Sequence, residues 1–232
     1  MSSNNVLQQP ALRWLRRAPG GIVAGERNEP RLGVLSGTFN PPTRAHLVLA
    51  EQAVRQLSIE EVLFVLPEIP PHKEQLEATL EQRAEMLLLT IGRSEKFSAA
   101  ISTHGLFLDI HRVVAPHYPP RTQTFFLTGR DAAERILLHW PYPDPAEALA
   151  EMFARFQFAV AARAGPFRIP LDSLVARYVA RIHSVSMPAE CETLSSTLAR
   201  ERMARGQPIE DVVPLEVASF VTAYGLYRPA PS

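Results

Sequence analysis

Sulfur chemistry is almost missing from this chain. One cysteine, Cys191, occurs in 232 residues. An internal disulfide is therefore excluded, and such usage fits a reducing compartment, the cytoplasm. Cys191 itself reads as a small packed residue. Long hydrophobic runs are missing too: none approaches the roughly 20 residues that cross a bilayer, so no membrane partner is expected. Nor is there an excess of charge, because 24 Lys and Arg balance 24 Asp and Glu. No global field draws the chain to nucleic acid, and any polyanion site must be local. Acidic residues are absent before Glu26, where Arg13, Arg16 and Arg17 flank Trp14 and Leu15. That segment lacks a secretory h-region, and residues 1–30 are expected to form a flexible tail.

Apolar, β-rich runs recur at 32–36, 62–66, 97–101, 124–128, 156–161 and 182–186. Between them lie helical patterns at 46–57, 80–93, 132–138, 145–154, 171–180, 197–205 and 215–224. Strand–helix alternation of this kind predicts an α/β fold with a doubly wound, mainly parallel sheet. Its ligands are expected beyond the carboxyl ends of the strands, at the topological switch point. The length suits one such domain over 31–228, with residues 229–232 as a short C-terminal tail.

The most informative segment is Gly37-Thr38-Phe39-Asn40-Pro41-Pro42-Thr43-Arg44-Ala45-His46, between the first apolar run and a helix with Leu47, Ala50, Val54 and Leu57 on one face. A turn at the end of a strand, with free N–H groups at a helix start, favours a bound phosphate. Ser36 to Phe39 and Thr43 are the candidates there, and His46 falls in the first helical turn, within reach of the same phosphate.

Three further segments lie where the same strand edge is expected. Pro70-Pro71-His72-Lys73 presents Lys73 as a mobile point charge for a triphosphate, although such a tetrad alone is ordinarily a surface loop. Thr128-Gly129-Arg130-Asp131 ends the fourth apolar run, where Gly129 admits a close ligand and Asp131 can cap the next helix. Leu194-Ser195-Ser196-Thr197-Leu198-Ala199-Arg200 opens a helix with three hydroxyls. These can cap it or bind phosphate oxygens, with Arg200 one turn onward on the face of Ser196 and Thr197.

The early turn resembles the signature of nucleotidyltransferases, Gly-x-Phe-x-Pro followed by His-x-Gly-His. Thr43 stands where the first His is commonest, as in nicotinamide mononucleotide adenylyltransferases, whose turn also reads Phe-Asn-Pro, and Ala45 replaces the usual Gly. Pro70-Pro71-His72-Lys73 with Gln82-Arg83-x-x-Met86-Leu87 is similar to bacterial nicotinate mononucleotide adenylyltransferases. So are Ser195-Ser196-Thr197-x-x-Arg200 and the tail Arg205-Gly206-Gln207-Pro208, Val213-Pro214 and Tyr224-Gly225-Leu226-Tyr227.

The resemblance spans about residues 31–228 and implies a Rossmann-like nucleotidyltransferase fold that joins ATP to nicotinate or nicotinamide mononucleotide and releases pyrophosphate. It implies His46, Lys73 and Arg200 as catalytic residues, Gly129, Asp131 and the Ser195–Thr197 hydroxyls on ATP, and Asn40, Asp109, Trp140 and Arg163 on the pyridine nucleotide. Mg²⁺ is expected on phosphate oxygens and waters, without a carboxylate cage. The family's Tyr-Thr-x-Asp-Thr segment is replaced by Gly105-Leu106-Phe107-Leu108-Asp109-Ile110-His111, which leaves the choice of acceptor open. Oligomeric state, a homo-oligomer included, is open as well. Two other readings remain: a nucleotidyltransferase acting on a sugar, polyol or pantetheine phosphate, and an inactive nucleotide-binding sensor.

Overall fold

A computed structural model describes residues 9–23, 28–68, 76–139, 142–162, 165 and 167–228. Its centre is a seven-stranded sheet: β1 (Leu12–Arg16), β2 (Arg31–Ser36), β3 (Glu61–Pro67), β4 (Phe97–Ser102), β5 (Gln123–Gly129), β6 (Gln157–Ala162) and β7 (Ile182–Ser186). The strand order is β1-β4-β3-β2-β5-β6-β7, parallel throughout except for β1, which runs antiparallel on β4. All six apolar runs become strands, and the central ones are apolar on both faces because a sheet covered on both faces buries every residue of a strand. In β3, for instance, all seven residues are buried.

The side chains of that sheet sort by the two-residue period of a pleat. Leu35, Phe64, Leu66 and Leu127 point to one face, against α1 (Arg44–Leu57) and α2 (Leu80–Ile91). Val34, Val65, Phe126 and Phe158 point to the other, against α3 (Phe107–Val114), α4 (Arg130–Glu134) and α5 (Pro145–Arg155). Phe64 is fully buried between the rings of Phe39 and Phe97, where truncation to Ala would cost about 3–5 kcal/mol. Near the carboxyl end of the chain, α6 (Ser196–Ala204) and α7 (Leu215–Ala223) share a third cluster with Ala45 and Met86. These two helices thereby pack beside the turn that opens α1.

Three expectations need correction. The first concerns the N-terminal tail, because part of it belongs to the sheet. Leu12 to Arg16 form β1, Ala18 N–H donates to Ser98 Oγ at 2.8 Å, and Ile22 N–H donates to Glu61 Oε2 at 2.8 Å. Glu61 is buried and also accepts from Ser98 Oγ at 2.6 Å and Tyr118 Oη at 2.7 Å. A side chain at Gly21 would meet its carboxylate at 2.6 Å. Arg17 lies 4.1 Å from the Trp14 ring centre, so a cation covers the aromatic face.

Secondly, the helical patterns read from the sequence omitted residues 107–114, which form a helix, α3, because Phe107, Ile110 and Val114 recur at helical spacing and turn into the core. Thirdly, the helical pattern at 132–138 is an α-turn followed by a π-helical turn at Arg135–His139, and the pattern at 171–180 is a 3₁₀ segment, Leu174–Arg181. In α1 the buried stripe is Ala45, Leu49, Ala50 and Ala53, with Leu47, Val54 and Leu57 half-buried at its margin.

Candidate active site

The strand order reverses between β2 and β5: β3 and β4 lie on one side of β2, and β5 to β7 on the other. That is the switch point, and a cavity of about 530 Å³ opens beyond the carboxyl ends of these strands. Ser36, Gly37, Thr38 and His46 line it on one side, Thr128 at the end of β5, and Asp109 on α3.

The turn is built to present His46. Phe39 takes a left-handed backbone (φ 45°) and buries its ring, edge-on to His46 with centroids 5.3 Å apart. A side chain at Gly37 would meet that ring at 3.2 Å, a tight contact that glycine avoids. Thr43 is the N-cap of α1 and His46 is its third residue. Thr43 N–H donates to His46 Nδ1 at 3.0 Å, and Thr43 Oγ1 lies 2.8 Å from the same nitrogen. A backbone N–H can only donate, so Nδ1 accepts, and a neutral imidazole then carries its hydrogen on Nε2. Thr43 is fully buried. Its side chain therefore faces the His46 ring rather than the cavity where a direct phosphate ligand was expected.

The side chains of Phe39, expected at the phosphate, and Asn40, expected at the pyridine nucleotide, are likewise buried beneath the turn and do not line the cavity. Asn40 Oδ1 accepts from Tyr227 Oη at 2.8 Å, and its Nδ2 donates to Glu77 Oε2 at 2.9 Å. Glu77 Oε1 lies 3.4 Å from Arg200 Nε, and Arg200 Nη1 donates to the Asn40 carbonyl at 2.8 Å. Ser196 Oγ donates to the Pro41 carbonyl at 2.7 Å. The two sequence motifs, 160 residues apart, therefore meet. Ser195 caps α6, accepting from Leu198 N–H at 3.1 Å, while Thr197 faces solvent. The late motif clasps the turn from outside the cavity rather than lining its wall.

Gly129 is the N-cap of α4, and open space surrounds the place a side chain would take. Asp131 sits exposed inside the first turn of α4 and caps nothing there, contrary to the capping expectation. Asp109 does line the cavity, paired with Arg112 at 3.0 Å. Lys73, Trp140 and Arg163 lie outside the described residues.

Several residues of the site were in view in the sequence without a role. Arg83, almost wholly buried, donates through Nη1 to the carbonyls of Thr38 at 3.2 Å and Pro67 at 3.4 Å, joining the loop after β2 to the end of β3. Burial lowers its pKa from the usual arginine value, and it stays a cation nonetheless. Tyr142, in the cavity wall, is half-buried, and desolvation pushes its hydroxyl up to about 12, so it is neutral. Tyr227 anchors Asn40 from the last turn of the described chain, and burial raises its pKa too. Among the described residues no cluster of three His, Cys, Asp or Glu could chelate a metal. The cavity's oxygen donors, Ser36, Thr38, Thr128 and Asp109, are hard ligands compatible with a Mg²⁺ ion delivered on phosphate.

Known proteins share this architecture. A family model described as Cytidylyltransferase-like matches residues 34–202. The "Probable nicotinate-nucleotide adenylyltransferase" of Rubrobacter xylanophilus is 33% identical over 206 residues, covering 85% of this chain and 92% of that protein. The protein of the same name from Moorella thermoacetica is 32% identical over 209 residues, covering 86% and 92%. Plasmodium falciparum nicotinic acid mononucleotide adenylyltransferase complexed with NaAD superposes with a TM-score of 0.66 at 18% identity, over 85% of this chain and 97% of that one. The chain belongs to the cytidylyltransferase-like family, among the nucleotidyltransferase enzymes that include the nicotinate-nucleotide adenylyltransferases.

Proposed function

We propose that the protein transfers AMP from ATP to a pyridine mononucleotide, nicotinate mononucleotide or its amide, to form the dinucleotide and pyrophosphate. The acceptor's 5′-phosphate attacks the α-phosphorus in line, and the P–O bond to pyrophosphate breaks on the opposite side. No covalent enzyme intermediate is required, so catalysis is positioning plus stabilisation of charge. The observation that carries this reading is the hydrogen bond from Thr43 N–H to His46 Nδ1 at 3.0 Å. It orients the ring and puts the hydrogen of the neutral imidazole on Nε2, the nitrogen that would donate to a phosphoryl oxygen as charge develops.

The start of α1 adds its amide dipoles. Arg200, held against the same turn through the Asn40 carbonyl, would have to leave that carbonyl to meet the triphosphate, and Lys73 would supply a further mobile charge. Ser36, Thr38 and Asp109 are the residues that would meet a phosphate-bound Mg²⁺, an ion that would neutralise the leaving pyrophosphate. Both the names of the bacterial relatives and the Plasmodium complex with NaAD favour a nicotinate acceptor.

A coupled pyrophosphate-release assay with ATP, Mg²⁺ and each mononucleotide tests the proposal. Release only when a pyridine mononucleotide is present is the expected result. Release with a sugar, polyol or pantetheine phosphate would select the alternative substrate class instead. ATP binding without release under any condition would select a sensor.

A further inference from the structure

Among the described residues, the cavity beyond the turn carries an unbalanced positive charge. Its inner wall is apolar, built from Leu106, Phe107, Leu108, Ile136, Tyr142 and Met152. Two guanidinium groups reach it, from Arg112 and Arg135. The first is neutralised: Arg112 Nη1 meets Asp109 Oδ1 at 3.0 Å and Nη2 meets Glu151 Oε1 at 3.2 Å. The second is not. Arg135 has no carboxylate within ion-pair distance among the described residues, and the acid next to it in sequence, Glu134, is already paired with Arg130 at 3.2 Å.

Backbone geometry points Arg135 inward. Ala132, Arg135 and Ile136 all line the cavity, and their i, i+3, i+4 spacing defines one helical face. Arg135 also opens the π-helical turn Arg135–His139, a local widening of a helix that recurs at ligand sites. An apolar slot with one uncompensated guanidinium at its rim suits a flat ring bearing an anionic substituent. The guanidinium fork matches a carboxylate bidentately, whereas a carboxamide offers it only one neutral oxygen.

We propose that Arg135 is a specificity-determining residue that reads the ring carboxylate of the acceptor, selecting the acid over the amide. This rests on the reading of a pyridine mononucleotide as acceptor. Under the proposed function the reacting phosphates meet the imidazole of His46 and the amides at the start of α1, so the ring substituent is the anion left for Arg135 to bind.

The test is calorimetric titration of nicotinate and nicotinamide mononucleotide, without ATP, onto the full chain and its Arg135→Gln and Arg135→Lys variants. Wild type is expected to bind the acid about tenfold or more tightly than the amide, the lower range for a charge-assisted hydrogen bond at an exposed rim. Arg135→Gln should bring the two affinities together, chiefly by weakening the acid, and Arg135→Lys should keep part of the preference. The wild-type preference should also shrink as salt is raised, a readout that needs no variant to fold. Equal weakening of both ligands by Arg135→Gln would assign the residue to the phosphate and overturn the inference. An unchanged ratio, or a wild type that does not discriminate, would overturn it as well. Binding discrimination without pyrophosphate release would remove the proposed reaction while leaving Arg135 as the reader of the carboxylate.

Discussion

Arg200 donates through Nη1 to the backbone carbonyl of Asn40 at 2.8 Å, across 160 residues of sequence. The bond ties the helix start of the late motif to the turn of the early one, and Glu77 completes the ring by meeting both Arg200 and Asn40. Without ligand, the expected triphosphate clamp is thus held by a carboxylate and a carbonyl. A triphosphate would have to draw Arg200 away from Glu77 to use it.

Replacing Glu77 with Gln should therefore strengthen ATP binding. The carboxylate side chain is 55% exposed, and such pairs contribute at most about 1 kcal/mol, so a KM for ATP lowered by roughly two- to fivefold is expected. Arg200→Ala should act in the opposite direction and more strongly, lowering kcat/KM by about a hundredfold as a charged phosphate contact is lost. Steady-state kinetics at varied ATP reads both. A higher KM in Glu77→Gln would show that the carboxylate positions Arg200 productively.

His46→Ala should reduce kcat by roughly a hundredfold or more, as for the loss of one preorganised donor to a developing charge. Single-turnover pyrophosphate release is the measurement. The fold should survive, because the residue is half-buried at the end of a capped helix. A near-normal kcat would reject the imidazole as the phosphate donor.

Stability should depend on pH through His111. Burial, and after it the charge of Arg155, lowers its pKa from 6.5, and its Nδ1 is buried without a hydrogen-bond partner. His183 is lowered as well, by burial and then by Arg31. A depressed folded-state pKa means that the unfolded chain takes up the proton first. Stability is therefore full above about pH 6.5 and declines as acid drives the pH down through the folded values. His111→Phe keeps a ring against Phe156, which lies 5.5 Å away between centroids, and removes the titrating group. Thermal melts between about pH 7.5 and pH 5.5 should show a shallower decline in the variant. The slope that persists should belong to His183 and disappear in a double variant that also carries His183→Gln. An unchanged slope in His111→Phe would remove that residue from the account.

Deleting residues 1–16 should destabilise the protein without disabling its chemistry. β1 covers the outer edge of β4, and its loss leaves a row of unpaired backbone groups there. A melting temperature lower by roughly 4 °C or more, with increased aggregation by light scattering, is expected. The cleft lies between β2 and β5, separated from that edge by β3, so kcat per folded molecule should match wild type. An unshifted melting temperature would mean that β1 contributes little to the sheet.

The six parallel strands and the phosphate turn were legible along the chain, because continuous apolar runs and a strand–turn–helix order are local signals. β1 was not. Leu12-Arg13-Trp14-Leu15-Arg16 has the composition of a solvated basic tail, and only β4 beside it satisfies its backbone groups. Its arginines are absorbed locally too: Arg16 donates to the carbonyls of Gly92 and Ser94, and Arg17 covers Trp14. α3 carried a helical apolar period, but that period was obscured by comparison with a motif it lacks.

Within the site, residue types in their local pattern nominated His46 and Arg200, and the family resemblance added Asp109. What they could not supply was direction. Thr43, Phe39 and Asn40 look like ligand-facing residues in sequence, yet they turn inward to hold the imidazole and the tail, and Arg135 emerges as a cavity residue only once α4 is placed. Periodicity along a chain reports which side of an element is kept from water, and that is settled within a few residues. Which distant groups then share a hydrogen bond, and which charge is left without a partner, depends on how the elements pack, and only the tertiary structure decides it.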